Sequence, residues 1–155
     1  LHVNAHKDSS IHGVETYYLN VANDPNSARV AAYENAVSAK KLSDLEAIVQ
    51  DLLFNTKITE SSQLASEIQK RMVAELSKKY DGIRDLGVKH GPFYVLFGAE
   101  MPCILIETAF ISNRTEEQRL NDQEYQKTLA KGIAKGVESY IKRMKQIVLK
   151  TGDKQ

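Results

Sequence analysis

A chain of 155 residues suits one domain, and 42% hydrophobic with 26% charged residues is enough to bury a core. Lys+Arg 21 against Asp+Glu 20 leaves a formal net charge of +1. With no basic stripe interleaved with aromatics, nucleic acid is not an expected partner. No apolar run of about 18 residues could span a membrane, and the single Cys103 excludes an intrachain disulfide. One cysteine fits a reducing compartment or an envelope protein that uses no disulfides.

The chain opens with Leu1-His2-Val3-Asn4-Ala5, already inside what reads as a strand, so a fragment or processed chain with an incomplete sheet is expected. Residues 2–6 alternate as a strand end, 7–10 are a polar loop, and 13–19 are β-branched and aromatic, hence a second strand. Asn-Asp-Pro-Asn in 23–26 is a turn. Residues 27–41 are alanine-rich, with Val30, Tyr33, Ala36 and Val37 on one side, which predicts a helix. Ser43-x-x-Glu46 is a capping box opening another helix. Leu64, Ile68, Met72 and Leu76 fall four apart on a long helix predicted to reach Tyr80. Residues 84–92 read as a loop and Phe93-Tyr94-Val95-Leu96 as a strand. The last helix carries Tyr125, Leu129, Ile133, Val137, Tyr140, Ile141 and Met144 at helical spacing. Its basic end (Lys142, Arg143, Lys145, Lys150) reads as a solvated face favoured by the helix dipole. The fold expected is α/β, a mixed sheet flanked by helices, incomplete at its N-terminus. Residues 1–149 form the domain, 23–59 a helical insert, and 150–155 a frayed tail.

The chemistry centres on residues 101–113. The apolar run Cys103-Ile104-Leu105-Ile106 leads into Glu107, which reads as a buried strand ending at a polar rim, where α/β sheets place ligands. On position alone, the favoured reading of Glu107 is a solvated strand end. His2 and His6 are four apart, but on a strand that separates them by about 13 Å, too far to share a metal unless the chain turns at Ala5. His6, His12 and His90 read as surface or packing residues. No His-Glu-x-x-His helix, Cys-x-x-Cys pair, phosphate loop or nucleophile elbow occurs.

Three blocks together are more specific: His2-x-Asn4-Ala5 followed by Gly-Val-Glu-Thr-Tyr-Tyr-Leu; Gly-Val-Lys with Phe-Tyr-Val-Leu; and Met-Pro-Cys-Ile-Leu-Ile-Glu-Thr-Ala-Phe-Ile-Ser-Asn. In order and spacing they resemble the zinc-dependent N-acetylmuramoyl-L-alanine amidases, from Leu1 to about Tyr140. The resemblance implies hydrolysis of the amide between N-acetylmuramic acid and L-alanine in peptidoglycan. It makes His2 a Zn2+ ligand and Glu107 the catalytic base, with Asn4, Thr108 and Asn113 contacting substrate or supporting these groups. The family's first histidine and its glutamate ligand would precede Leu1, so a chain carrying one of three ligands is expected to be inactive alone and prone to self-association. Ala109 and Cys103 replace small family residues, and Leu86 and Phe97 stand where arginine is frequent.

The 23–59 insert is similar to that of the periplasmic cell-division amidases of Gram-negative bacteria, where a helical segment covers the zinc site until an activator displaces it. On that reading Glu34 or Glu46 plugs the metal. A helical cover that only packs on the domain is the plain reading. The alternative functions are a non-catalytic interaction module that keeps the scaffold, and an endolysin-type amidase, which the insert disfavours.

Overall fold

The computed structural model describes residues 1–22, 24–38 and 57–152. The expected second helix opening at Ser43 lies outside them. A four-stranded sheet, ordered β1-β4-β2-β3, is built from β1 (His2–Asn4), β2 (Val14–Leu19), β3 (Asp85–Gly91) and β4 (Leu105–Phe110). β1 runs parallel to β4, β4 antiparallel to β2, and β2 parallel to β3, so the sheet is mixed as expected. Helices α1 (Pro25–Glu34), α2 (Ile58–Leu76), α3 (Arg114–Leu120) and α4 (Gln123–Gly152) flank it.

Alternation along the strands sorts the core into two layers. On one face Tyr17, Leu19 and Leu105 pack with Val30 and Ala31 of α1 and with Phe93 and Leu96. On the other, Val14 and Ile106 meet Ile68, Met72 and Leu76 of α2 and Tyr125 and Leu129 of α4. α2 and α4 approach closely because Gly132 and Gly136 carry no Cβ. One built on Gly136 would lie 2.5 Å from the Ile68 Cα, and one on Gly132 2.7 Å from the Met72 Cα.

Three expectations need correction. Glu107 does not end its strand: β4 continues to Phe110, all six residues are buried, and Glu107 is the third. With Ala109 and Phe110 filling the two faces beyond it, the strand has helices over both sides and no rim at that point. The third strand is Asp85–Gly91, and residues 94–96 form a single 3-10 turn. Pro92 has no N–H to donate to a ladder, and the Phe93 ring turns inward, 4.9 Å from Tyr17. β3 escapes a pattern search because it is an edge strand: six of its seven residues are partly or fully exposed, and Gly87 at φ 80° bends it. Finally, α1 begins at Pro25, capped by the Asp24 Oδ1, which accepts from the N–H groups of Asn26 (2.9 Å) and Ser27 (3.0 Å). It ends at Glu34 instead of running on to 41. Asn35 donates to the Pro92 carbonyl (2.7 Å) and accepts from the Tyr94 N–H (2.9 Å), tying the chain to that turn, and Ala36 sits at φ 52°.

Candidate active site

His2, Glu107 and Glu15 form one row across β1, β4 and β2: His2 is in register with Glu107, and Glu107 with Glu15. Register partners project from the same face, here the face covered by α1. The last residue of α1 joins them, as the Glu34 Oε2 contacts the His2 Nδ1. One ligand-capable atom from each of His2, Glu34 and Glu107 lies within 4.8 Å of the other two. Arg29 helps seat the helix, donating to the Ala5 carbonyl (3.1 Å) just past β1.

Glu107 is fully buried, and neither carboxylate oxygen has a hydrogen-bond partner among the described residues. Burial first, and then the neighbouring charges of Glu34 and Glu15, push its carboxyl up to about 8. A buried carboxylate with no donor is costly unless something else neutralises it. The His2 imidazole nitrogen and the Glu34 carboxylate are donors suited to a divalent cation that takes nitrogen and oxygen ligands, zinc among them, and the Glu107 carboxylate stands within reach of both. The residues present therefore fit such an ion.

The other expected residues sort by what they touch. Asn4 is buried, with its Nδ2 donating to the Glu15 Oε1 (2.8 Å) and its Oδ1 accepting from the Ala5 N–H (2.8 Å). The Thr108 hydroxyl donates to the His2 carbonyl (2.9 Å), holding β1 onto β4. Asn113 caps α3 by accepting from the Glu116 N–H (3.2 Å), and its Nδ2 donates to the Ser9 carbonyl (2.9 Å), so its polar atoms serve the backbone. Glu46 lies outside the described residues. His6, His12 and His90 each bind a nearby backbone group through Nδ1 and stand apart from the His2 cluster.

Sequence reasoning missed Glu15, Lys89 and Glu116. Glu15 was findable, since alternation puts it on the same side as Tyr17 and Leu19, an odd place for a lone charge. Lys89 was hidden by reading its strand as a loop. Glu116 is buried and accepts from the N–H of Gly13 (2.9 Å) and of Phe110 (2.6 Å), latching the start of β2 to the end of β4.

A sequence model of the family described as N-acetylmuramoyl-L-alanine amidase matches residues 1–139. The chain is 31% identical over 142 residues to N-acetylmuramoyl-L-alanine amidase LytC of Bacillus subtilis, covering 92% of this chain and 21% of LytC. It is 31% identical over 109 residues to N-acetylmuramoyl-L-alanine amidase AmiA of Escherichia coli, covering 68% of this chain and 36% of AmiA. In fold it matches the crystal structure of an N-acetylmuramoyl-L-alanine amidase from Clostridium difficile 630, with a TM-score of 0.60 and 29% identity over 90% of this chain and 54% of that one. The chain thus spans well under two thirds of each of these relatives. On the family match, which takes in the whole His2–Glu107 site, the chain belongs to the N-acetylmuramoyl-L-alanine amidase family.

Proposed function

We propose that this chain contributes His2 and Glu107 to a zinc-dependent N-acetylmuramoyl-L-alanine amidase, which hydrolyses the amide joining N-acetylmuramic acid to L-alanine in peptidoglycan. The observation that carries the reading is the buried, donorless Glu107 carboxylate beside His2. His2 would hold the zinc ion, and Glu34 would occupy a coordination position while α1 stays docked. When bound, zinc supplies Lewis-acid polarisation of the scissile carbonyl and a more acidic water. Glu107 takes the proton from the attacking water as its oxygen adds to the carbonyl carbon. It then passes the proton to the alanine nitrogen as the C–N bond breaks, leaving a lactyl carboxylate and a free amine. Burial raises its affinity for protons above that of a carboxylate in water, and the charge of a bound cation would favour the ionised form that accepts the proton.

The same geometry supports a covered resting state. Glu34 against His2 blocks the place where water and substrate must sit, so turnover requires α1 to leave, and an activator protein acting on the 23–59 insert is the partner this implies. An envelope enzyme of a Gram-negative periplasm, separating daughter cells, is the setting we infer. The test is chemical. Purified peptidoglycan incubated with the full-length protein and zinc should release peptides with a free N-terminal L-alanine, read by mass spectrometry. Release of muropeptides still joined to muramic acid, or of nothing by both the wild-type protein and its uncovered Glu34→Ala variant, would refute the assignment.

A further inference from the structure

Beside Glu107 lies a second carboxylate in the opposite situation. Glu15 is also fully buried, but it is the hub of a network. Its Oε1 accepts from the Asn4 Nδ2 (2.8 Å) and from the Tyr17 hydroxyl (2.9 Å), and its Oε2 accepts from the Lys89 Nζ (2.5 Å). The Lys89 ammonium also lies 6.0 Å from the centre of the Tyr17 ring. The network therefore draws on β1, β2 and β3, three of the four strands.

The Asn4–Glu15 bond has an unusual reach. β1 and β2 are not neighbours; β4 lies between them. Two strand spacings amount to about 10 Å, so the two side chains must meet above β4, on the face that carries Glu107 and Ala109. A small side chain at 109, fully buried, leaves room for that crossing. β1 has need of such a tie. It is three residues long, pairs with β4 alone among the described residues, and its register shifts between His2 and Asn4. Asn4 is two residues from His2, so fixing Asn4 fixes the strand that aims the imidazole.

We propose that Glu15 is a positioning residue: anchored by Lys89 and bonded to Asn4, it clamps β1 across β4 and holds His2 beside Glu107, so that the tightness of the cation site depends on it. Groups that orient a ligand from behind commonly change metal affinity by about 10–100-fold when removed. The inference rests on the zinc amidase reading for the identity of the cation, but not on turnover.

The test measures zinc affinity of the full-length protein by competition with a fluorescent chelator. Glu15→Gln keeps the shape but replaces one acceptor oxygen with an NH2 donor, which confronts the donors of Asn4 or Lys89. Its zinc dissociation constant should rise by about 10–100-fold. Adding Asn4→Asp reverses the pair: the amide introduced at position 15 would donate to a carboxylate at position 4 that still accepts from the Ala5 N–H, and affinity should return close to the wild-type value. A merely structural loss of Glu15 would not be repaired by reversing donor and acceptor at position 4. Unchanged affinity in Glu15→Gln, or a double variant no tighter than the single one, overturns the clamp. Should Glu15→Gln fail to fold, the double variant decides alone: wild-type affinity supports the clamp, and tenfold weaker binding overturns it. Wild-type and uncovered Glu34→Ala proteins that both bind zinc yet leave peptidoglycan intact would refute the amidase assignment and leave the clamp standing.

Discussion

On the proposed covered state, replacing Glu34 with alanine should raise basal turnover. The Glu34 carboxylate contacts the His2 imidazole from the last turn of α1, and only 14% of its side chain is exposed. A hydrogen bond to a charged group in such a place contributes about 1.5–3 kcal/mol. At about 1.4 kcal/mol per tenfold, removing it should raise the uncovered fraction by roughly 10–150-fold. The rest of α1 keeps its anchors, since Val30 and Ala31 are in the core and Asn35 is tied to Pro92 and Tyr94. The gain should therefore stay within that range and not reach full activation. The assay is dye release from labelled peptidoglycan by the full-length protein without any activator, with zinc content measured in parallel. Basal turnover of Glu34→Ala equal to or below wild type, at equal zinc content, would refute the covered state.

Three further outcomes test the packing that holds the site. Gly136→Ala drives a methyl group into the backbone of α2 at Ile68 and should cost about 1–3 kcal/mol, read as a lower denaturant midpoint at unchanged m-value. Glu116→Ala leaves the N–H groups of Gly13 and Phe110 without their acceptor and should cost about 2–5 kcal/mol; a loss under about 1 kcal/mol would mean the latch is dispensable. Glu75 accepts from Lys78 (2.5 Å) and, across to α4, from Lys135 (3.0 Å), and these bonds hold its carboxyl down at about 2, below its ordinary 4.5. Its folded form binds protons more weakly than its unfolded form, so its stabilisation is complete above pH 4.5 and is lost as pH falls through about 2. The thermal midpoint of Glu75→Gln should accordingly depend less on pH across that window than that of wild type.

Much of the architecture was legible in the residues because burial leaves a periodic trace. The four-apart Leu64, Ile68, Met72 and Leu76 mark α2, and the apolar run ahead of Glu107 marks β4. β3 left no such trace: an edge strand takes its stability from the ladder it makes with β2, and its side chains need not be apolar. Family resemblance singled out His2 and Glu107, and Glu34 or Glu46 as a plug, and the fold brings His2, Glu107 and Glu34 together. What the chain order could not convey is lateral position. That Glu15 and Glu107 stand side by side follows from antiparallel register, and that Asn4 bonds to Glu15 follows from a strand order in which β4 intervenes. Asn113 carried the right residue type for a substrate contact, yet its amide is spent on the cap of α3 and on the Ser9 carbonyl.

The central claim is that the donorless carboxylate of Glu107 moves the proton. The measurement that tests it most directly is turnover on peptidoglycan by full-length Glu107→Ala, with bound zinc determined by elemental analysis of the same sample. The account predicts zinc retained at the wild-type ratio and turnover lower by at least about 100-fold, as for removal of a general base. Wild-type turnover with zinc in place would remove Glu107 from the mechanism.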